Sequence, residues 1–407
     1  MKIAVITDIH LGYRQYKLEE RKQDFYDTFQ KAIDLIIKND VDLVLNCGDT
    51  FDKAHESAET IDEFRKGLKK LKEHNIKMVA ILGNHEVVQR DSFVPILNLY
   101  EDDYDIDILG YKGKKDYITI DTDIGELLVS GVSFLSASQS DSLKNKLQYL
   151  DTLKSDFKIL MLHQAIKEDF PFSYEIEEND LPTSFNCILC GHIHELCDYG
   201  VRYYPGSLNP CNIKEAMDPH GVTFITIDKQ KKYDIDFVEI EQPRKMFFER
   251  MTYNDDFVKN LKDFAKKNGQ GKNILHLEVM IDENQIVDAN DFISREIQKE
   301  FLRVTTRFKY KEEQKNNYNF DMGKTTIKDI LMKRLEDKSN EVKELTIKIL
   351  EASRDNDSLE FIHDCYKNNI EKSYKKDFKD LENKMKTEIK EYEDFFNKLG
   401  EDKYARK

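Results

Sequence analysis

The order in which apolar runs meet lone-pair side chains constrains this chain more than any other feature. Within the first 240 residues, five short apolar runs end in Asp8 and His10, in Asp49, in Asn84 and His85, in His163, and in His192 and His194. The runs belong to a longer series of predicted strands over 2–7, 42–46, 78–82, 117–121, 127–131, 158–162, 186–190, 222–227 and 233–238. Many are apolar at every position, as strands covered on both faces must be. Amphipathic stretches over 21–38 and 58–74 read as helices, the first carrying Phe25, Phe29, Ala32, Ile33 and Ile36 on one side. The alternation predicts an α/β fold, a two-layered sheet with helices outside. Strand C-termini of such sheets share an edge, so the eight polar side chains are expected to converge on one crevice.

That set holds two carboxylates, one amide and five imidazoles. A mixed oxygen and nitrogen shell suits Mn²⁺, Fe²⁺ or Zn²⁺ better than Mg²⁺ or Ca²⁺. Two such ions about 3.5 to 4 Å apart can clamp a phosphodiester and activate water for in-line attack. Any one Asp or His after a strand is more simply a cap or a satisfied polar group. The ordered series, with every member at a strand end, is not explained that way. Gly48, Gly83 and Gly191 recur beside the ligands, where a sharp turn or a close backbone approach lets the side chain enter the site. Cys187, Cys190, Cys197 and Cys211 offer a zinc-site alternative, but the first two share a strand at a spacing that sends them to opposite faces, as ordinary core thiols.

Composition narrows the classes. No run approaches the roughly 18 apolar residues of a membrane span, and the first apolar run meets Asp8 at once, unlike a signal-peptide core. Six cysteines in 407 residues fit a reducing compartment, and a cytoplasmic protein is expected. A net charge of -15 argues against broad attraction to nucleic acid or anionic membrane, so a polyanion has to be gripped by local basic patches or by metal.

After Pro243 the pattern changes. Predicted helices over 257–267 and 291–301 and strands over 274–281 and 302–311 make a small α+β domain, and the Asn-rich stretch 314–324 reads as a linker. From 325 onward no Pro or Gly occurs until Gly400, which predicts a helical tail. The domains are therefore drawn at 1–240, 241–313, 314–324 and 325–407. On the strand 302–311, alternation puts Arg303, Arg307, Lys309 and Lys311 on one face, which could follow a DNA backbone or simply protect an edge strand from aggregation. The tail carries a narrow stripe, Tyr374, Phe378, Leu381, Met385, Ile389, Tyr392, Phe396 and Leu399. Such a ridge packs on one partner helix, or folds back on 325–350 as a hairpin. His74, His220, His276 and His363 have no partner pattern and read as surface or structural residues.

The blocks Asp8-Ile9-His10, Gly48-Asp49, Gly83-Asn84-His85, isolated His163 and Gly191-His192-Ile193-His194 resemble those of the calcineurin-like metallophosphoesterases. The opening Asp8-Ile9-His10-Leu11-Gly12-Tyr13, with Gly206 and Ser207 after the last block, narrows the resemblance to the SbcD and meiotic-recombination-eleven nucleases. That resemblance implies a two-layered β-sandwich flanked by helices, a small α+β capping domain and a helical C-terminal region. It implies two Mn²⁺ per chain, with Asp8, His10 and His194 holding one, Asn84, His163 and His192 the other, and Asp49 between them. His85 would contact the phosphate and protonate or orient the leaving group. It further implies 3′ to 5′ exonuclease and single-strand endonuclease activity in double-strand-break repair and nucleoid association. The implied partners are DNA, a second copy of the chain, and an SMC-like ABC ATPase of the SbcC type, docked through the tail around Phe378, Leu381 and Met385. The chain departs from the family pattern at Asp52, where archaeal and eukaryotic members usually carry His, and at Glu86, where Asp is usual. His55 lies close to the first departure.

Two other readings remain open: a phosphodiesterase or phosphatase for small substrates, and a scaffold that bridges DNA ends with weak or no catalysis. The region after Pro243 counts against the first, because a small substrate does not require it. The intact ligand series counts against the second.

Overall fold

The computed structural model describes residues 1–88, 93–170, 174–282 and 285–310. In chain order it runs β1 (Lys2–Ile6), α1 (Glu19–Lys38), β2 (Leu43–Asn46), α2 (Ala58–Glu73), β3 (Lys77–Ala80), β4 (Ile106–Ile108), β5 (Tyr117–Thr122), β6 (Gly125–Val132) and α3 (Ser140–Asp151). There follow β7 (Phe157–Leu162), β8 (Cys187–Cys190), β9 (Cys197–Tyr199), β10 (Arg202–Tyr204), β11 (Gly221–Ile227) and β12 (Tyr233–Glu239). The last part holds β13 (Met246–Thr252), α4 (Phe257–Asn268), β14 (Ile274–Ile281), α5 (Ile286–Phe292) and β15 (Arg303–Tyr310).

Two six-stranded sheets stack face to face, ordered β12-β11-β1-β2-β3-β4 and β5-β6-β7-β8-β10-β9. Ile3, Val5, Leu43, Leu45 and Val79 from the first interdigitate with Leu127, Val129, Phe157, Ile159 and Met161 from the second. Because alternate residues point to opposite faces, Ala4, Ile6, Val44 and Met78 face outward, where Phe29, Ile33 and Ile36 of α1 and Phe64 and Leu68 of α2 cover them. Leu128, Leu160, Leu162 and Ile188 are covered in the same way by Leu143, Leu147 and Leu150 of α3. Both faces of the central strands are thus apolar, which accounts for the unbroken apolar runs. Each fully buried Leu, Ile or Phe contributes about 1.5 to 3 kcal/mol.

Strands β1 to β4 run parallel, as do β6, β7, β8 and β10, so their C-terminal ends gather at one rim of the sandwich. This rim positions the site.

The remaining strands form a three-stranded parallel sheet, β13-β14-β15. Leu275, Leu277, Val279 and Ile281 on one face pack against Phe257, Leu261 and Ala265 of α4 and against Ala289, Ile293 and Ile297. Strand β13 was not anticipated, nor were the three-residue strands β4, β9 and β10, which are too short to show a period. The helix expected over 291–301 begins earlier, at Ile286, and passes through a π turn (Ile293–Ile297) into a 3-10 turn (Gln298–Glu300). Arg244 joins this sheet to the sandwich by a two-pronged ion pair with Asp24, at 2.5 and 3.0 Å. Tyr16 Oη lies 2.8 Å from His276 Nε2, and the Arg303 guanidinium sits 5.0 Å from the Tyr16 ring centroid. Lys311, the linker 314–324, the tail 325–407 and its ridge residues Phe378, Leu381 and Met385 lie outside the described residues.

Candidate metal centre

Each predicted ligand sits on the loop just past a strand at the shared rim. Backbone geometry there is unusual: Asp8, His10, Asp49 and His192 all take positive φ, at 49, 49, 48 and 80°. Few non-glycine residues tolerate this region, and its local cost of about 1 to 3 kcal/mol has to be overcome by the surrounding structure. Two glycines make the crowding possible. A Cβ on Gly83 would stand 2.0 Å from Asp49 Oδ1, and one on Gly191 would stand 2.3 Å from the Cys47 carbonyl oxygen.

Asp49 is central. Its Oδ2 lies 3.3 Å from His163 Nε2, 3.9 Å from His10 Nε2 and 4.0 Å from His85 Nε2. Its Oδ1 accepts the His85 amide at 2.9 Å. On one side of Asp49, His10 Nε2 and His194 Nε2 are 3.1 Å apart, and Asp8 Oδ1 lies 3.7 Å from His194 Nε2. On the other, Asn84 Oδ1 lies 3.2 Å from His163 Nε2 and 2.9 Å from His192 Nδ1. The structure therefore brings all seven expected ligand residues together as two groups that meet at one carboxylate. Asp8, His10 and Asp49, and separately Asp49, His163 and His192, present donor atoms within 4.8 Å of one another.

The groups behind these side chains fix their aim. His163 donates its Nδ1 proton to the Cys47 carbonyl at 2.8 Å, which leaves Nε2 facing Asp49 and Asn84. Asp8 accepts from the Thr7 hydroxyl at 2.8 Å and from the His192 amide at 3.2 Å. Glu86 is buried and accepts the Gly83 amide at 3.0 Å and the Phe51 amide at 3.4 Å, so it braces the loops that carry Asn84 and Asp49. Burial, reinforced by the Asp49 charge, pushes its carboxyl up to about 8.

Burial lowers His10 to about 3 and His192 to about 4, so both imidazoles are neutral near pH 7, with lone pairs available. Burial also works against charge on His163, but Asp49 beside it prevails and carries it up to about 9. Burial opposes the Asp49 carboxylate in turn, yet His163, His10 and His85 around it hold its pKa well below the usual range. Asp8 is pushed up by burial. Two neutral imidazoles, His10 and His192, two that give up a proton to a cation, His163 and His194, and the buried carboxylates and amide oxygen aimed at common points form a donor set that fits two divalent cations.

His85 differs from the other four imidazoles. Its side chain is 39% exposed, against 0% for His163 and 4% for His10. Nδ1 donates to the Asp52 carbonyl oxygen at 2.7 Å, which leaves Nε2 on the Asp49 side, 4.0 Å from its Oδ2. Asp52 thus bears on the site through its main chain, and its carboxylate, 4.0 Å from His10 Nδ1, also lies within 4.8 Å of a ring nitrogen of His85.

Sequence reasoning missed Glu215 and the placement of Cys211. Glu215 Oε2 lies 3.2 Å from His194 Nδ1 and accepts the Cys211 amide at 2.7 Å. Cys211 enters the sequence reading only as part of a zinc alternative with Cys187, Cys190 and Cys197, and Glu215 carries no signal beyond its position after the Gly206-Ser207 block. Cys187 and Cys190 are buried on opposite faces of β8, as expected.

Arg303, Arg307 and Lys309 share a face of β15 but are not equally free. Arg303 packs on Tyr16, Lys309 pairs with Glu278 at 2.7 Å, and Arg307 is exposed. Glu278 also pairs with Arg250, on the neighbouring strand.

The calcineurin-like phosphoesterase family matches residues 1–196. A protein of Methanococcus maripaludis named DNA double-strand break repair protein Mre11 is 26% identical over 386 residues, covering 91% of this chain and all of that one. The protein of the same name from Methanocaldococcus jannaschii is 33% identical over 250 residues, covering 60% of this chain and 66% of that one. Residues 1–196 belong to the calcineurin-like phosphoesterase family, and the chain is similar to its SbcD and Mre11 members. As a member of this family it is a metal-dependent phosphodiester hydrolase. The match to the Mre11 protein of Saccharolobus solfataricus, 35% identical, spans 48% of this chain and 49% of that one. Among solved structures, a dimetal phosphatase from Danio rerio is similar over 55% of this chain and 92% of that one, at 14% identity and a TM-score of 0.34.

Proposed function

We propose that this chain is a Mn²⁺-dependent DNA nuclease of double-strand-break repair, holding two Mn²⁺ and acting as a 3′ to 5′ exonuclease and a single-strand endonuclease. The observation that carries the reading is the pair of donor groups meeting at Asp49, with one exposed imidazole, His85, beside them. Asp8, His10 and His194 hold one ion, Asn84, His163 and His192 the other, and Asp49 both. When bound, the ions supply charge stabilisation to the phosphoryl oxygens and lower the pKa of the attacking water. The chain's own part is to fix those donors, to keep His10 and His192 unprotonated by burial, and to orient His85. With Nδ1 committed to the Asp52 carbonyl, His85 Nε2 is the group that meets the scissile phosphate and hands a proton to the leaving oxygen.

The region 241–313 is read as a capping domain that guides DNA, with Arg303, Arg307, Lys309 and Lys311 toward the phosphate backbone. The stretch 314–324 is read as a linker, and 325–407 as the docking element for an SMC-like ABC ATPase of the SbcC type, through Phe378, Leu381 and Met385. The phosphoesterase region is read as pairing with a second copy, and the assembly as associated with the nucleoid. The names of the Mre11 relatives and the length of the Methanococcus alignment support this reading.

Hydrolysis of a nucleotide-sized phosphodiester, compared with that of linear duplex and single-stranded DNA with and without Mn²⁺, tests it. Efficient Mn²⁺-dependent cleavage of DNA is the expected result. Preference for the small ester would make the chain a small-substrate phosphodiesterase. DNA binding without cleavage would make it a scaffold.

A further inference from the structure

Among the described cysteines, Cys47, Cys187 and Cys190 are buried in apolar clusters and Cys197 packs against one of them. Cys211 is different. Its sulfur and one ring nitrogen each of His10 and His194 lie within 4.8 Å of one another. The residue is only half-buried. Its thiol contacts the Asn209 carbonyl oxygen at 3.8 Å and meets the His194 imidazole, the group whose ring nitrogen it would join at an ion. The placement is also braced. Glu215 Oε2 accepts the Cys211 amide at 2.7 Å and meets His194 Nδ1 at 3.2 Å, so one carboxylate fixes both the thiol's loop and the imidazole that shares its target.

Oxygen and nitrogen donors alone give an ion position with little preference for thiophilic metals, whereas a thiolate selects for them strongly. We propose that Cys211 is an additional ligand at the ion position of His10 and His194, giving the centre a sulfur-containing binding mode for thiophilic divalent cations such as Zn²⁺ and Cd²⁺. Binding exchanges the S–H bond for a sulfur–metal bond and releases one proton to solvent. With two imidazoles and one thiolate from this group, one carboxylate from the neighbouring Asp8 and Asp49 completes four donors, the number zinc takes in closed sites. Such a set leaves no position for substrate, so this mode opposes the catalytic one. The proposal rests on the two-ion reading of the centre and extends it to a ligand the family resemblance does not imply.

The metal-free full-length chain is titrated with Cd²⁺ while the ultraviolet thiolate-to-cadmium charge-transfer band is followed, for the unmodified chain, Cys211→Ser and Cys197→Ser. Mn²⁺ stoichiometry is measured in parallel by equilibrium dialysis. The band is expected in the unmodified chain and in Cys197→Ser and is expected to vanish in Cys211→Ser. Cd²⁺ affinity should fall there by on the order of 10- to 100-fold, the range for losing a group that supports a bound ion. In the unmodified chain, where no substitution can disturb folding, Cd²⁺ should protect Cys211 from iodoacetamide, read by peptide mass spectrometry. Cd²⁺ binding without the band, a band that survives Cys211→Ser, or equal alkylation with and without Cd²⁺ would overturn the proposal. If two Mn²⁺ bind while no sulfur band forms, only the role of Cys211 fails. Should neither ion bind, the reading of the centre fails with it.

Discussion

The sandwich and the sheet of β13, β14 and β15 are both built largely on parallel strands, yet they are covered differently. Helices lie on the outer face of each sandwich sheet, and the two inner faces cover each other. Among the described residues the smaller sheet has helices on one face only, and the other carries Phe248, Arg250, Glu278, Arg307 and Lys309, with Tyr16 over its His276 and Arg303. Parallel sheets are usually covered on both faces. In the sandwich, polar function is therefore confined to strand ends, where it interrupts an apolar run and shows in the sequence. On the smaller sheet it is spread over a face, where charges pair with each other as readily as with a ligand.

The largest test of this contrast is Asp49→Ala. Both donor groups meet at that carboxylate, so the variant should lose bound Mn²⁺ and phosphodiester cleavage while its thermal unfolding stays cooperative. Two tightly bound ions and near-normal turnover would break the assignment. Truncation after Lys324 comes next. It should abolish co-purification with the ATPase and leave Mn²⁺-dependent cleavage of short DNA largely intact, and Phe378→Glu with Leu381→Glu should reproduce the loss of association. His85→Asn should keep both ions by dialysis and lose on the order of 10² to 10⁴ in rate, as general acid-base groups do. Loss of metal instead would make His85 a ligand.

Smaller effects probe the covering itself. Ile159, fully buried between the sandwich sheets, should cost about 2 to 5 kcal/mol on replacement by Ala in denaturant unfolding. Phe248, 47% exposed on the open face, should stay within about 0.5 kcal/mol on the same replacement. Similar losses at the two positions would mean that the open face is covered in solution. Smallest of all, Arg307→Ala should weaken DNA binding uniformly across sequences and reduce its salt dependence by about one counterion. An unchanged salt slope would remove Arg307 from the DNA path.

The ligand series was legible because Asp8, Asp49, Asn84, His163 and His192 each follow an apolar run, and parallel strands bring such ends to one rim. The layered fold was legible for the same reason. Strands β4, β9 and β10 were not, since three residues carry no period, and β13 was missed beside the charged turn before it. Cys211 and Glu215 were hidden because their role depends on a loop returning to His194, which no local pattern encodes. The basic face of β15 was legible as a face, but its pairing with Glu278 required knowledge of β14 as a neighbour.

The left-handed backbone at Asp8, His10, Asp49 and His192 limits which amino acids evolution can use there. Outside glycine, that conformation is best tolerated by Asn, Asp and His. Those three also donate oxygen or nitrogen to a metal, whereas Glu, an equally good donor with a longer stem, is a poorer fit to the same dihedral angles. The vocabulary of the centre is thus set twice, once by coordination chemistry and once by the shape of the main chain. Exchanges at these positions should run within that trio far more readily than toward any other donor, even where the new side chain could reach the ion.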